Sequence, residues 1–183
     1  MKMNKTAIAL AVFGLTGAGS ALAADGTITF NGKITDQTCE IDMGDKDLTV
    51  TLPTVSAQTL AAAGKVAGRT PFAINLSNCS AGQVATYFEP GPTVDYNTGR
   101  LNNQIDAASN GATNVQIQLL GENNEFLPVL AAGANGAQTN SQWVTVANEG
   151  DGADLNYYAE YYATAAAEAG DVSTSVQYTI IYQ

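Results

Sequence analysis

The most constraining stretch of the chain is its last one, where Val172, Thr174, Val176, Tyr178, Ile180 and Tyr182 alternate with Ser173, Ser175, Gln177, Thr179, Ile181 and Gln183. A period of two this regular specifies a β-strand with one apolar face. Such a strand calls for a neighbour on each side, yet the sequence stops at Gln183. If it is the penultimate strand of a sandwich, no residues remain for the final strand, and an apolar groove stays open. The alternative is an ordinary C-terminal edge strand.

The same alternation recurs at Leu48-Val50-Leu52, Phe72-Ile74-Leu76, Val115-Ile117-Leu119 and Leu155-Tyr157-Ala159-Tyr161-Ala163. Turn pairs at Gly91-Pro92, Asn110-Gly111, Asn135-Gly136 and Asp151-Gly152 punctuate the strands at the spacing of an all-β sandwich. Residues 59–63 and 164–169 are Ala-rich but short, and predict loops or single helical turns. At the other end, Ile28, Phe30, Gly32 and Ile34 alternate with Thr27, Thr29, Asn31 and Lys33, which predicts an extended strand ahead of the domain. Asn31-Gly32 could instead form a hairpin turn, but its arms would be too short to be stable. One end therefore supplies a strand and the other lacks one, an arrangement suited to head-to-tail assembly into an open fibre.

Compartment follows from the first residues. Lys2 and Lys5 precede an apolar run at residues 7–15 and an Ala21-Leu22-Ala23 cleavage site, the layout of a secretory signal cut between Ala23 and Ala24. The run is too short to span a bilayer, and residues 17–20 interrupt it, so no membrane anchor is expected. Cys39 and Cys79 lie in the exported part, where an even number of cysteines favours one disulfide.

Charge and composition exclude most chemistry. There are 7 Lys+Arg, 17 Asp+Glu and no histidine. A basic nucleic-acid footprint is absent, and so are histidine-dependent nucleophiles and His-ligated zinc. Asp42, Asp45 and Asp47 lack the ligand order of an EF-hand and read as a solvated turn. Glu122, Glu125, Glu149, Asp151, Asp154 and Glu160 could in principle supply a glycosidase pair, but nothing brings two together and turn or surface placement accounts for each. Trp143 with Tyr157, Tyr158, Tyr161 and Tyr162 suggests a sugar platform, yet alternation sends Tyr157 and Tyr161 to one face and Tyr158 and Tyr162 to the other. Core packing on one face and contact between subunits on the other is the simpler account. Neither an enzyme nor a cofactor is expected.

Taken in order, Phe30-x-Gly32 seven residues before Cys39, the interval from Cys39 to Cys79, Tyr157-x-Ala159-x-Tyr161-x-Ala163, Gly170 fourteenth from the end and penultimate Tyr182 carry a family likeness. The chain resembles the major pilins of chaperone-usher fimbriae, of the type 1-like kind, over the whole exported part. That resemblance implies an all-β, incomplete immunoglobulin-like sandwich of six strands with the seventh missing and an N-terminal donor-strand extension. It divides the chain into a signal peptide at 1–23, a donor extension at 24–37 and a pilin domain at 38–183. Ile28, Phe30, Gly32 and Ile34 are implied to enter the groove of the next subunit. Gly170, Val172, Val176, Tyr178, Ile180 and Tyr182 are implied to form the acceptor groove and the strand bound by a periplasmic chaperone. The implied partners are identical subunits head to tail, that chaperone, an outer-membrane usher and tip or adaptor pilins, and the implied destination is a cell-surface fimbria serving adhesion and biofilm formation. A minor or adaptor pilin and a self-contained secreted carbohydrate-binding domain are the alternatives.

Overall fold

A computed structural model of the chain describes residues 26–133 and 135–183, so the expected export signal and its expected Ala23-Ala24 cut lie outside the described residues. The chain divides into two units, Met1–Ile34 and Thr35–Gln183. In the first, residues 26–34 pair with no strand, and Ile28, Phe30 and Ile34 are 80%, 89% and 100% exposed.

The second unit is all-β apart from single 3-10 turns at Ala57–Leu60 and Ala107–Ser109. Its strands are β1 (Glu40–Ile41), β2 (Val66–Ser77), β3 (Gly82–Phe88), β4 (Val94–Asp95), β5 (Arg100–Asn102), β6 (Val115–Gly121), β7 (Phe126–Leu127), β8 (Val144–Val146), β9 (Ala153–Ala163) and β10 (Tyr178–Tyr182). One sheet runs β1-β2-β9-β6-β5-β4, with β7 also on β6, and the other runs β10-β3-β8. All these pairings are antiparallel.

Alternation places the core as expected for β2, β6 and β9. Ile74 and Leu76 of β2, Ile117 and Leu119 of β6, and Leu155 and Tyr157 of β9 are buried between the sheets with Val84 and Phe88 of β3. The Tyr157 ring meets Phe72 of its own sheet at 5.6 Å and Phe88 of the facing sheet edge-on at 5.1 Å. A tyrosine in contact with both layers pins their separation, and such aromatic pairs add about 0.5–1.5 kcal/mol beyond the area they bury. Cys39 and Cys79 are joined by a disulfide beside β1 and β2.

The outer face of the large sheet departs from the sequence reading. Every residue of β6 is buried, including the outward Gln116, Gln118 and Leu120. Cross-strand register aligns Asp95, Arg100, Gln118 and Glu160 in one row. A bulge in β2 between Ala67 and Thr70, where Gly68 takes a φ of +70°, brings Arg69 to the end of that row. Arg69 Nε and Nη2 donate to the two Glu160 oxygens at 2.8 and 3.3 Å. Gln118 Nε2 donates to Glu160 at 2.6 Å, and Arg100 Nε donates to Gln118 Oε1 at 2.9 Å. The Arg100 guanidinium lies 3.6 Å from the Tyr162 ring centroid and 4.3 Å from that of Phe126. Glu160, read above as a surface carboxylate, is 2% exposed, because Arg69 from β2 and Gln118 from β6, the strands on either side of β9, both bond to it.

The hydrogen bond to Glu160 is the main reason the Arg69 guanidinium titrates above its ordinary range. Removing the carboxylate with Glu160→Ala leaves Gln118 without its acceptor, while Arg69, 41% exposed, can turn to water. The expected loss is about 1–3 kcal/mol, seen as a lower urea midpoint at unchanged slope. An unchanged midpoint would show that the row contributes nothing to stability.

Two expected strands are missing from the ladders. Residues 48–52 alternate but belong to no strand, and of residues 172–182 only Tyr178–Tyr182 pair, with β3. The Ala-rich segments form the 3-10 turn ending at Leu60 and an irregular stretch at 164–169.

Candidate functional site

The two unpaired segments are the lips of one groove of about 1380 Å³. Leu48, Val50 and Leu52 line one lip, and Val172, Val176 and Tyr178 line the other. Between them the floor is made by Phe72 and Ile74 of β2, Ile117 and Leu119 of β6, Ala159 and Tyr161 of β9, and Phe88 of β3. Thus a slot runs between the two lips down to core side chains, although Ile74, Phe88, Ile117 and Leu119 at its floor are only 2–5% exposed.

Backbone hydrogen bonding defines what the slot lacks. On the C-terminal lip, Ser173 N donates to Asn103 Oδ1 at 3.0 Å, and the carbonyls of Ser173, Ser175 and Gln177 accept from Gln104 N, Thr93 Oγ1 and Glu89 N. Along a strand, successive residues turn their N–H and C=O to opposite sides. The carbonyls of the odd-numbered residues are therefore bonded on the outer side, while among the described residues the backbone groups of Val172, Thr174 and Val176 have no partner. Residues 47–53 of the facing lip make no backbone hydrogen bond either. Two extended segments with free backbone edges facing one slot form a template for an added strand.

The slot has a closed end. Tyr178 Oη donates to the Asp45 carbonyl at 2.8 Å, and Cys39 N donates to Tyr182 Oη at 3.0 Å. Burial, aided by the charges of Asp45 and Asp47, raises the Tyr178 pKa, which keeps its hydroxyl a donor. The Asp45 carboxylate accepts from Asn75 N and Nδ2, both at 2.8 Å, and Asp42 accepts from Ser77 Oγ at 2.7 Å. The acidic segment is thus the expected turn, with Asp42 and Asp47 exposed, and it is tied to β2 through Asp42 and Asp45; no set of three metal-ligating side chains occurs among the described residues.

Of the residues implied for the C-terminal strand, Val172, Val176 and Tyr178 line the groove, whereas Ile180 and Tyr182 pack on the core in β10. Gly170 does not line it. A Cβ there would lie 2.6 Å from both the Asn110 carbonyl oxygen and the Gly111 carbonyl carbon, so its glycine serves a close approach of two backbones where the lip begins. Gly170→Ala is expected to displace that start, costing about 1–3 kcal/mol and lowering the yield of folded protein. Wild-type yield and melting would refute that role. The lip at residues 48–52 was not anticipated, although its alternation was visible. Ile28, Phe30, Gly32 and Ile34 remain exposed in their own unit, with open space around the Gly32 α-carbon.

The family model described as Type-1 fimbrial protein, A matches residues 52–183. The chain is 73% identical over 164 residues to the Major fimbrial subunit SMF-1 of Stenotrophomonas maltophilia, covering 89% of this chain and 95% of that one. It is 46% identical to the F17 fimbrial protein of Escherichia coli, across 99% of this chain and 100% of the relative. Among solved structures, the P pilus rod subunit PapA superposes with a TM-score of 0.58 at 20% identity, over 79% of this chain and 99% of that one, a likeness of fold.

Proposed function

This chain belongs to the type-1 fimbrial protein family, whose members are structural subunits rather than enzymes, and we propose that it is the repeating shaft subunit of its fimbria, polymerised by donor-strand exchange. In this reading the segment bearing Ile28, Phe30, Gly32 and Ile34 of one copy lies in the groove of the next. The carrying observation is that one chain holds both a two-lipped groove with an apolar floor and an exposed alternating apolar segment with no partner among the described residues. Each need is the other's complement. A periplasmic chaperone would first occupy the same groove, an outer-membrane usher would direct the exchange, and tip or adaptor pilins would end the fibre. Adhesion and biofilm formation would follow from the finished fibre on the cell surface. The 73% identity to a relative named a major subunit supports the shaft rather than an adaptor position.

Strand addition also accounts for a stable fibre without a cofactor. The incoming strand gains hydrogen bonds from both lips, and the core gains apolar contacts, so release of a subunit requires partial unfolding and is slow. Exporting the chain to a periplasm lacking its chaperone tests the reading. Degradation or strand-linked polymers are expected, and a monomer that unfolds cooperatively at high denaturant would overturn it.

A further inference from the structure

The chain contains three Asn-Gly pairs, Asn31-Gly32, Asn110-Gly111 and Asn135-Gly136. In two of them the glycine nitrogen is engaged: Gly111 N donates to the Asp106 carbonyl and Gly136 N to the Gly133 carbonyl, both at 3.0 Å. Asn110 is further fixed in the left-handed region, with its Nδ2 donating to Asp171. At Asn31-Gly32 none of this holds. Both residues are exposed, neither makes a hydrogen bond among the described residues, and nothing lies within 4 Å of where a Gly32 side chain would start.

From this contrast we propose that Asn31 is a site of spontaneous covalent modification, confined to copies not yet built into a fibre. The Gly32 backbone nitrogen, unhindered because its residue has no Cβ, attacks Asn31 Cγ. A bond forms between that nitrogen and Cγ as the bond from Cγ to Nδ2 breaks, Nδ2 leaves as ammonia, and the amide proton passes to solvent base. Water then adds to either carbonyl of the resulting succinimide and opens it to an aspartyl or isoaspartyl residue at position 31. Water is the only reactant consumed, and no oxidant is needed. The isoaspartyl product runs the main chain through the former side-chain carbon, adding one backbone atom between Phe30 and Gly32. Residues on its two sides then no longer alternate onto one face, and a carboxylate replaces a neutral amide.

The consequence rests on the donor-strand reading above. A strand inserted between two lips has both of its backbone edges paired, which engages amides along its length and holds the extended geometry. Insertion therefore protects Asn31, and delay before insertion removes donor competence. Unassembled copies carry a clock.

Exported full chain, purified as its chaperone complex, and fibres sheared from the same cells are incubated together at growth temperature and mildly alkaline pH. Peptide mass spectrometry then follows amide loss at each asparagine. Several-fold faster loss at Asn31 than at Asn110 or Asn135 in the complex, little loss at Asn31 in fibres, and disappearance of the signal in Asn31→Gln are expected. If Asn31 in the complex reacts no faster than Asn110, the modification site is overturned whatever the assembly mechanism. If Asn31 reacts equally fast in complex and fibre, the site stands, but the protection and the donor-strand reading both fall.

Discussion

A second copy of residues 26–36, joined after Gln183 by a short turn, is expected to convert the chain into a closed, monomeric domain that neither accepts nor requires a neighbour. A tight turn would return the added strand antiparallel to residues 172–182, along the lip whose Val172, Thr174 and Val176 backbone groups lack partners. Burying the three apolar side chains that now stand exposed at Ile28, Phe30 and Ile34 contributes roughly 1.5–3 kcal/mol each, or about 5–9 kcal/mol as an upper estimate. Ladder bonds to the two lips add about 0.5–1.5 kcal/mol apiece. Tethering keeps the strand at high local concentration, so the entropic cost of capturing it is small. The readouts are a large rise in the urea midpoint and loss of polymer in size-exclusion chromatography. Replacing the three apolar residues of the added copy with threonine should abolish most of the gain. If the tethered strand leaves the midpoint and polymerisation unchanged, the groove is not a strand acceptor.

Periodicity reports which face a residue occupies, and at β9 that was enough. Residues 155–163 alternate, Tyr157 goes to the core, and Tyr162 goes to the opposite face. Residues 48–52 alternate equally well yet join no ladder, because alternation does not say which backbone lies alongside. Sequence pointed to an unpaired edge at the C-terminal strand but not at this lip, and residues 172–177 and 48–52 alike lie outside any strand. Glu160 shows a second gap. Its outward position implied water, but whether an outward residue is covered depends on side chains from strands far away in sequence, here Arg69 and Gln118. Asp45 was hidden for the same reason, since its partner Asn75 lies 30 residues on. Gly170 was visible as a position in a pattern, while the physical need behind it, a backbone against the turn at Asn110-Gly111, appears only in three dimensions.

Gly32→Leu separates the two roles proposed for the chain. In the subunit itself the position is open, so a side chain there meets nothing and the fold, the melting temperature and delivery by the chaperone should be unchanged. Inside a neighbour's groove the same side chain would enter a packed interior between the positions taken by Phe30 and Ile34. Overpacking of that kind costs about 1–3 kcal/mol or more, which corresponds to roughly 5–150-fold weaker or slower strand uptake per junction. A fibre multiplies the penalty over every junction, so growth should stop after few additions. Gly32→Ala, smaller by three carbons, should give shorter fibres rather than none. The measurement pairs chaperone-complex yield with fibre length by electron microscopy. Normal fibres from Gly32→Leu would place another residue at the crowded point of the groove, whereas loss of the chaperone complex would give the glycine a part in the subunit's own fold that its open surroundings do not support.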